Sequence, residues 1–258
     1  MVLILLVITF SFSCGGGSKV KETPPHLTDG MQALQKGNTA YQRGCFRRSL
    51  DYFLKAHERF TLADQQTGVA MSLNNIGNVY RFIGDTESAR LFFDQAIEIY
   101  IRLDDTSGAQ QALVNKAALL ADVDELEAAQ ATLNQVDALG KDRKATASFW
   151  NTRGVLWMKQ ADYVRAEEAL RQGLDRVTQD DPASMATLNF SLGRLMVASG
   201  RLDQAPAYFE KALEVDRQLG FHRGIADDLA ALGDLYQRQS QYTIAAAYFQ
   251  RSIKIYAL

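Results

Sequence analysis

Small and apolar positions recur along the chain with a period of about 40 residues. In the second copy, Gly77 is followed by Ala89 twelve positions later, Phe93 sixteen later and Ala96 nineteen later. The small residue that opens each copy is Gly37, Gly77, Ala117, Gly154, Gly193 or Gly233. Because turn-forming residues such as Gly84 and Asp85 lie between the first two positions, the pattern predicts six helical hairpins. We expect the small residues to let two antiparallel helices approach closely, and the Phe or Leu to fill the gap to the next hairpin.

The predicted hairpins stack into a single all-α domain. One hairpin cannot bury its apolar face alone, whereas six stacked hairpins share a continuous core. The domain is expected to occupy residues 29–258. Its repeats are predicted at residues 30–62, 67–103, 108–137, 143–178, 183–218 and 223–257.

The residues Gly77, Ala89 and Phe93, with Gly84 between the helices, resemble the tetratricopeptide repeat. The standard period of that family is about 34 residues, so the chain is similar to its longer-period members. The added residues lie between hairpins, as in the stretch 103–108. The resemblance implies a right-handed superhelix, or α-solenoid, of six hairpins, with the first helices lining a concave surface that binds proteins.

The first 13 residues carry no charge and are almost wholly apolar. A helix of that length spans about 20 Å, less than the roughly 30 Å of a bilayer core, so the stretch is typical of a signal peptide. Cys14 follows directly and precedes three Gly and a Ser, which resembles the lipobox of bacterial lipoproteins. The resemblance implies cleavage after residue 13, lipid on Cys14, a flexible tether over residues 14–28, and an outer-membrane lipoprotein facing the periplasm.

An ordinary secretory signal is the alternative to the lipobox. No Lys or Arg precedes Lys19, and Ser11 stands where the lipobox favours Leu. In that case Cys14 is incidental, and the protein is secreted or soluble in the periplasm.

Charge and chemistry exclude several functional classes. The net charge of −2 includes no basic stripe of the kind that binds nucleic acid. His26, His57 and His222 share no helix face with one another or with a Cys, so metal-ligand spacing is absent. No nucleophile motif or phosphate-binding loop occurs. We therefore expect neither an enzyme nor a cofactor-binding protein.

A binding groove is predicted on the first helices. Positions three before, one after and four after each opening residue share one helical face. That face is polar in the first two repeats, largely apolar from Val114 to Val197, and polar again in the last. An exposed apolar stripe with polar ends is typical of a groove; the alternative is that neighbouring helices cover it. The predicted partner-binding residues are Asn38, Tyr41, Asn74, Asn78, Arg81, Asn151, Phe190 and Arg194.

The last predicted helix, residues 242–257, carries Ile244 and Tyr248 away from the core of its own hairpin. We expect this helix to dock on a second copy, forming a homodimer, or on a partner.

The sequence thus predicts a non-enzymatic, lipid-anchored scaffold of the bacterial envelope. It would hold a partner protein or peptide in its groove, in the manner of lipoproteins that help to assemble outer-membrane complexes. The alternative is an accessory subunit of a cell-wall enzyme or a glycan-binding module. Glycan binding would require exposed aromatic side chains, for which Tyr41, Phe82 and Phe190 are the candidates on the groove.

Overall fold

The computed structural model describes residues 25–139, 146–178 and 180–256. Over these ranges the fold is all-helical, with twelve α-helices arranged as six antiparallel hairpins that stack in chain order. None of the described helices is both long and apolar enough to cross a bilayer. The helices are α1 (Pro25–Gln42), α2 (Phe46–Leu62), α3 (Gln66–Ile83), α4 (Thr86–Arg102), α5 (Thr106–Asp122), α6 (Leu126–Leu139), α7 (Ala147–Lys159), α8 (Tyr163–Leu174), α9 (Pro182–Ala198), α10 (Ala205–Leu219), α11 (His222–Arg238) and α12 (Tyr242–Tyr256), with a 3₁₀ turn, Leu202–Gln204, before α10.

The first helix begins earlier than the sequence pattern predicts. It starts at Pro25, so residues 25–28 are helical and the prediction of a tether reaching residue 28 is wrong. Proline is well accepted in the first turn of a helix, where its missing N–H has no intrahelical partner to lose. The predicted signal peptide, Cys14 and the rest of the tether lie outside the described residues.

Within a hairpin, the aromatic residue sixteen positions after the opening glycine packs onto that same glycine. A Cβ at Gly37 would lie 2.5 Å from the Phe53 ring, and a Cβ at Gly77 would lie 2.7 Å from the Phe93 ring. The Ser49 hydroxyl, twelve positions after Gly37, donates a hydrogen bond of 2.9 Å to its carbonyl. The bare glycine backbone thus holds the ring against its own hairpin. Phe93 also belongs to a buried cluster with Leu119 of the next hairpin, in line with the prediction that this Phe fills the gap there.

A second aromatic residue packs directly onto the backbone of the next hairpin. Phe60, near the end of α2, is 1% exposed and lies between Gly30 of α1 and Gly68 of α3. Tyr100 of α4 packs in the same way against Gly108 of α5. These rings bury apolar surface against both neighbours and thereby couple each repeat to the next.

Charged pairs also connect neighbouring repeats. Arg81 and Asp122 lie 2.7 Å apart, Arg90 and Glu125 lie 2.8 Å apart, and Lys159 and Asp124 lie 2.7 Å apart. Such partly exposed pairs contribute at most about 1 kcal/mol each. They orient adjacent hairpins more than they stabilise them.

The last helix is less exposed than its sequence predicts. Tyr248 is partly buried and stacks on Tyr236 of α11 with ring centroids 5.4 Å apart, so it does not point away from its own hairpin. Ile244 and Ile253 are 43% and 67% exposed. Docking of α12 on a second copy stays a prediction.

Candidate functional site

The first helices of all six hairpins surround one cavity of about 400 Å³, which we call the central cavity. Its wall runs from Tyr41 at the end of α1, through Val155 in the middle of α7, to Asp228 on α11. The concave surface predicted from the sequence therefore contains a cavity that is partly open to solvent and is lined by all six repeats.

The sixth hairpin closes the cavity by touching the first two. The Arg223 guanidinium at the start of α11 lies 4.4 Å from the centre of the Phe82 ring and 5.1 Å from that of Phe46. Tyr41 packs edge-on against the same two rings, with centroid distances of 5.3 and 5.7 Å. We call Arg223, Phe46 and Phe82 the clasp. Burial in this cluster raises the pKa of the Tyr41 phenol above its ordinary value, although Arg81 and Arg223 oppose the shift.

Five of the eight predicted partner-binding residues line the central cavity: Tyr41, Arg81, Asn151, Phe190 and Arg194. Arg81 is already paired with Asp122, and Phe190 packs against Phe209 with centroids 5.8 Å apart. The Asn151 side-chain oxygen is buried without a hydrogen-bond partner. Burying such an atom costs free energy unless a ligand or a water molecule donates a hydrogen bond to it.

The other three predicted residues do not line the central cavity. Asn38 is exposed and Asn78 is half-buried. Asn74 is only 9% exposed, and its side-chain oxygen accepts a hydrogen bond of 2.9 Å from the Asn115 amide. Asn74 thus links α3 to α5 by a hydrogen bond. The sequence predicted a partner-binding side chain at this position.

Much of the predicted apolar stripe is covered. Val114, Ala121 and Met158 are 2%, 1% and 8% exposed. The first helices of consecutive repeats pack directly against one another along the inner side of the solenoid, so the alternative of coverage by neighbouring helices holds for these three side chains. Val155 and Phe190 do reach the cavity.

Besides Asp122, which pairs with Arg81, three further carboxyl groups line the cavity and were not predicted from the sequence: Asp216 of α10, and Asp227 and Asp228 of α11. Asp227 accepts a hydrogen bond from the Tyr256 hydroxyl and pairs with Arg223 at 3.3 Å. Asp216 and Asp228, which we call the acid pair, have no ion-pair partner among the residues that the structure describes. Asp228 is 1% exposed, and its Oδ2 atom has no hydrogen-bond partner.

Burial and mutual repulsion keep the acid pair from ionising fully. Burial raises the pKa of Asp228 to about 8, with Asp216 and Asp227 adding to the shift and Arg217 opposing it. Burial, followed by the charge of Asp227, raises the pKa of Asp216 to about 6. At neutral pH the acid pair therefore retains about one proton.

The repeat pattern itself contains the signal that marks these acids. Asp216 occupies the same repeat position as Phe60 and Tyr100, seven residues after the aromatic residue that packs within the hairpin. Its carboxyl group lies against Gly224, whereas the two rings lie against Gly68 and Gly108. Asp228 stands where the second to fifth repeats bury uncharged residues, Ser72, Ala112, Phe149 and Leu188.

Comparison with protein families and curated sequences gives one match. The tetratricopeptide repeat model matches residues 31–102 and 184–257, together more than half of the chain. No curated protein sequence matches.

Solved structures share the fold at low sequence identity. The Rap conjugation gene regulator of plasmid pLS20, in complex with the Phr* peptide, is 14% identical with a TM-score of 0.69, over 95% of this chain and 80% of that one. A Rap protein complexed with competence and sporulation factor is 15% identical with a TM-score of 0.67, over 91% and 77%. PilW, a type IV pilus biogenesis factor, is 16% identical with a TM-score of 0.53, over 85% and 90%.

Proposed function

Because the chain belongs to the tetratricopeptide repeat family, we propose that it is a non-enzymatic scaffold holding a peptide, or a segment of a partner protein, in the central cavity. The observation that carries this proposal is the cavity itself, since residues of all six first helices line one shared space. A ligand there touches every repeat at once, so binding would stabilise the whole solenoid.

The cavity wall offers the groups that an extended peptide needs. Val155 and Phe190 supply apolar surface, and the unpartnered Asn151 oxygen can accept a hydrogen bond from a peptide N–H. Arg194 is exposed to the cavity and forms no ion pair within the described ranges. A few convergent polar groups within an apolar wall are the usual composition of a ligand site.

Two further considerations favour a peptide over a glycan. The Rap structures of similar fold are described as complexes with a peptide or a factor, although fold likeness alone is an analogy. Two of the three aromatic side chains that glycan binding would use, Tyr41 and Phe82, pack against each other at 5.3 Å and present fewer free ring faces.

We also propose that the protein acts in the bacterial envelope, anchored by lipid on Cys14, in the assembly of an outer-membrane complex. The support is the apolar leader followed by Cys14 and the Gly/Ser stretch, with the pilus biogenesis factor of similar fold as an analogy. The mass of the mature N-terminal peptide decides between lipid-modified Cys14 and an ordinary secretory cleavage.

Peptide binding in the cavity can be tested by filling it. Thr187 is exposed and lines the central cavity, so Thr187→Trp places an indole in the space while leaving the core untouched. We expect random octapeptides selected on the full wild-type chain to bind this variant at least about tenfold more weakly, by fluorescence polarisation.

The matched control is Thr61→Trp, which adds the same ring on the exposed outer helix α2. It should leave peptide affinity unchanged, and both variants should keep the wild-type melting temperature. Peptides that bind Thr187→Trp as tightly as wild type would contradict the proposal.

A further inference from the structure

The junction between the fifth and sixth repeats differs from the first two junctions. In the first two junctions, the rings of Phe60 and Tyr100 pack against a glycine of the next hairpin. In the fifth junction, the carboxyl group of Asp216 packs against Gly224 instead. One turn further along α11, Asp228 occupies a position that is buried and uncharged in the repeats before it. Two buried acids at positions that other repeats fill with uncharged residues destabilise the fold. Residues that disagree with the fold in this way occur mainly at functional sites.

The protein supplies no partner for these two carboxyl groups. Asp228 is almost fully buried, and its unpartnered Oδ2 belongs to a side chain in the wall of the central cavity. The nearest cation on the same helix, Arg223, is already held by Asp227 and the clasp. A buried carboxylate without a partner is among the most costly groups in a protein interior. A ligand that brings a positive charge removes that cost.

We propose that the acid pair is a subsite for the cationic group of a Lys or Arg side chain on the bound peptide, an inference that rests on the proposed peptide-binding function. The ammonium or guanidinium group donates hydrogen bonds to the Asp228 Oδ2 atom and to the Asp216 carboxylate. Charge-assisted hydrogen bonds of this kind are about twice as strong as neutral ones.

Proton release accompanies binding. The empty acid pair retains about one proton at neutral pH, and the incoming cation favours the doubly ionised form. Affinity for a cationic peptide therefore rises with pH until both acids are ionised without ligand. The other charged or titratable groups around the pair are Asp227 and Arg223 on α11, Arg217 on α10, Arg194 on α9, Asp122 on α5, Arg81 on α3, Tyr41 on α1 and Tyr256 on α12.

The experiment uses two octapeptide pools that differ at one fixed central position. One pool has arginine there, and the other has citrulline, which has nearly the same shape and no charge. With the full chain at pH 8, we expect the arginine pool to bind at least about tenfold more tightly, by isothermal titration calorimetry. Between pH 6 and pH 8 its affinity should rise by up to about tenfold per pH unit, while that of the citrulline pool stays flat.

The double variant D216N/D228N removes the charge and keeps the shape of the acid pair. It should bind the arginine pool only as tightly as wild type binds the citrulline pool, and Asp228→Asn alone should lose most of the preference. The exposed Asp203, replaced by Asn, is the matched control. Because a merely structural role of the acid pair would affect both pools equally, the preference for arginine isolates recognition of charge.

The outcomes separate the two proposals. Peptides that bind, and that Thr187→Trp blocks, but with equal affinity for arginine and citrulline pools, would overturn the subsite and leave the scaffold function standing. No binding by either pool would overturn both. Binding of spermidine that D216N/D228N abolishes, without any peptide binding, would identify a free polyamine as the ligand and overturn the assignment to a peptide side chain.

Discussion

Two junctions of this solenoid have the same backbone arrangement and opposite chemistry. Between the first and second hairpins, Phe60 is sealed between two glycines. Between the fifth and sixth, Asp216 occupies the equivalent place against Gly224, with Asp228 beside it. The first junction gains stability from buried apolar surface, whereas the second keeps two acids out of water with no partner of their own.

This difference indicates how a repeat protein separates stability from function. Apart from the clasp, each hairpin packs mainly on its neighbours, so a junction that is costly in one place is tolerated when the others are well packed. The acids at the fifth junction also face the central cavity. The place where the fold loses stability is therefore the place where a ligand can restore it.

The largest effect should come from emptying the apolar junction. Phe60→Ala removes a ring that is 1% exposed and leaves two glycines facing a void. We expect the free energy of unfolding to fall by about 3–5 kcal/mol, measured by urea denaturation of the full chain. Val164→Ala on α8, where the side chain is 80% exposed, should change it by less than about 0.5 kcal/mol. A loss below about 1 kcal/mol for Phe60→Ala would refute the sealing role of this ring.

A smaller effect should appear as pH dependence at the acidic junction. The pKa of Asp228 is about 8 in the folded protein and about 3.9 in an unfolded chain. Between these values the folded state holds a proton that the unfolded chain has lost, so stability falls as pH rises and levels off above about pH 8. From pH 6 to pH 8, urea denaturation should show a loss of about 2 kcal/mol that Asp228→Asn removes.

His57 provides a check on the sign of this effect. Burial lowers the pKa of His57, so its contribution makes the fold more stable as pH rises through the ordinary His range, opposite to the acid pair. It is present in wild type, Asp228→Asn and Asp203→Asn alike and cancels when they are compared. If wild type and Asp228→Asn show the same slope, the acid pair is not a strained element of the fold.

The candidate site was less predictable than the fold, and the reason is geometric. The three offsets that predicted the groove are the same in every repeat, and identical offsets line a groove only if it runs perpendicular to the first helices. The cavity instead meets the end of α1 at Tyr41, the middle of α7 at Val155 and the start of α11 at Arg223. The lining positions lie at the C-terminal ends of α1, α3 and α5 and then move towards the N-terminus from α7 to α11, because successive hairpins are displaced along the axis of the superhelix. Five predicted residues lie on this diagonal, and Asn38, Asn74 and Asn78 do not.

The sequence by itself determined the repeat. Glycines and aromatics at fixed spacing specify the hairpin because a ring can lie on a helix backbone only where no Cβ intervenes, which is a local requirement. Tertiary structure alone decided that Arg223 meets Phe46 and Phe82 across the solenoid, at one side of the central cavity. That contact depends on small rotations accumulated over six hairpins, which no single repeat encodes. The repeat pattern shows the acid pair as an irregularity, and only the folded solenoid places those two carboxyl groups in the wall of the central cavity.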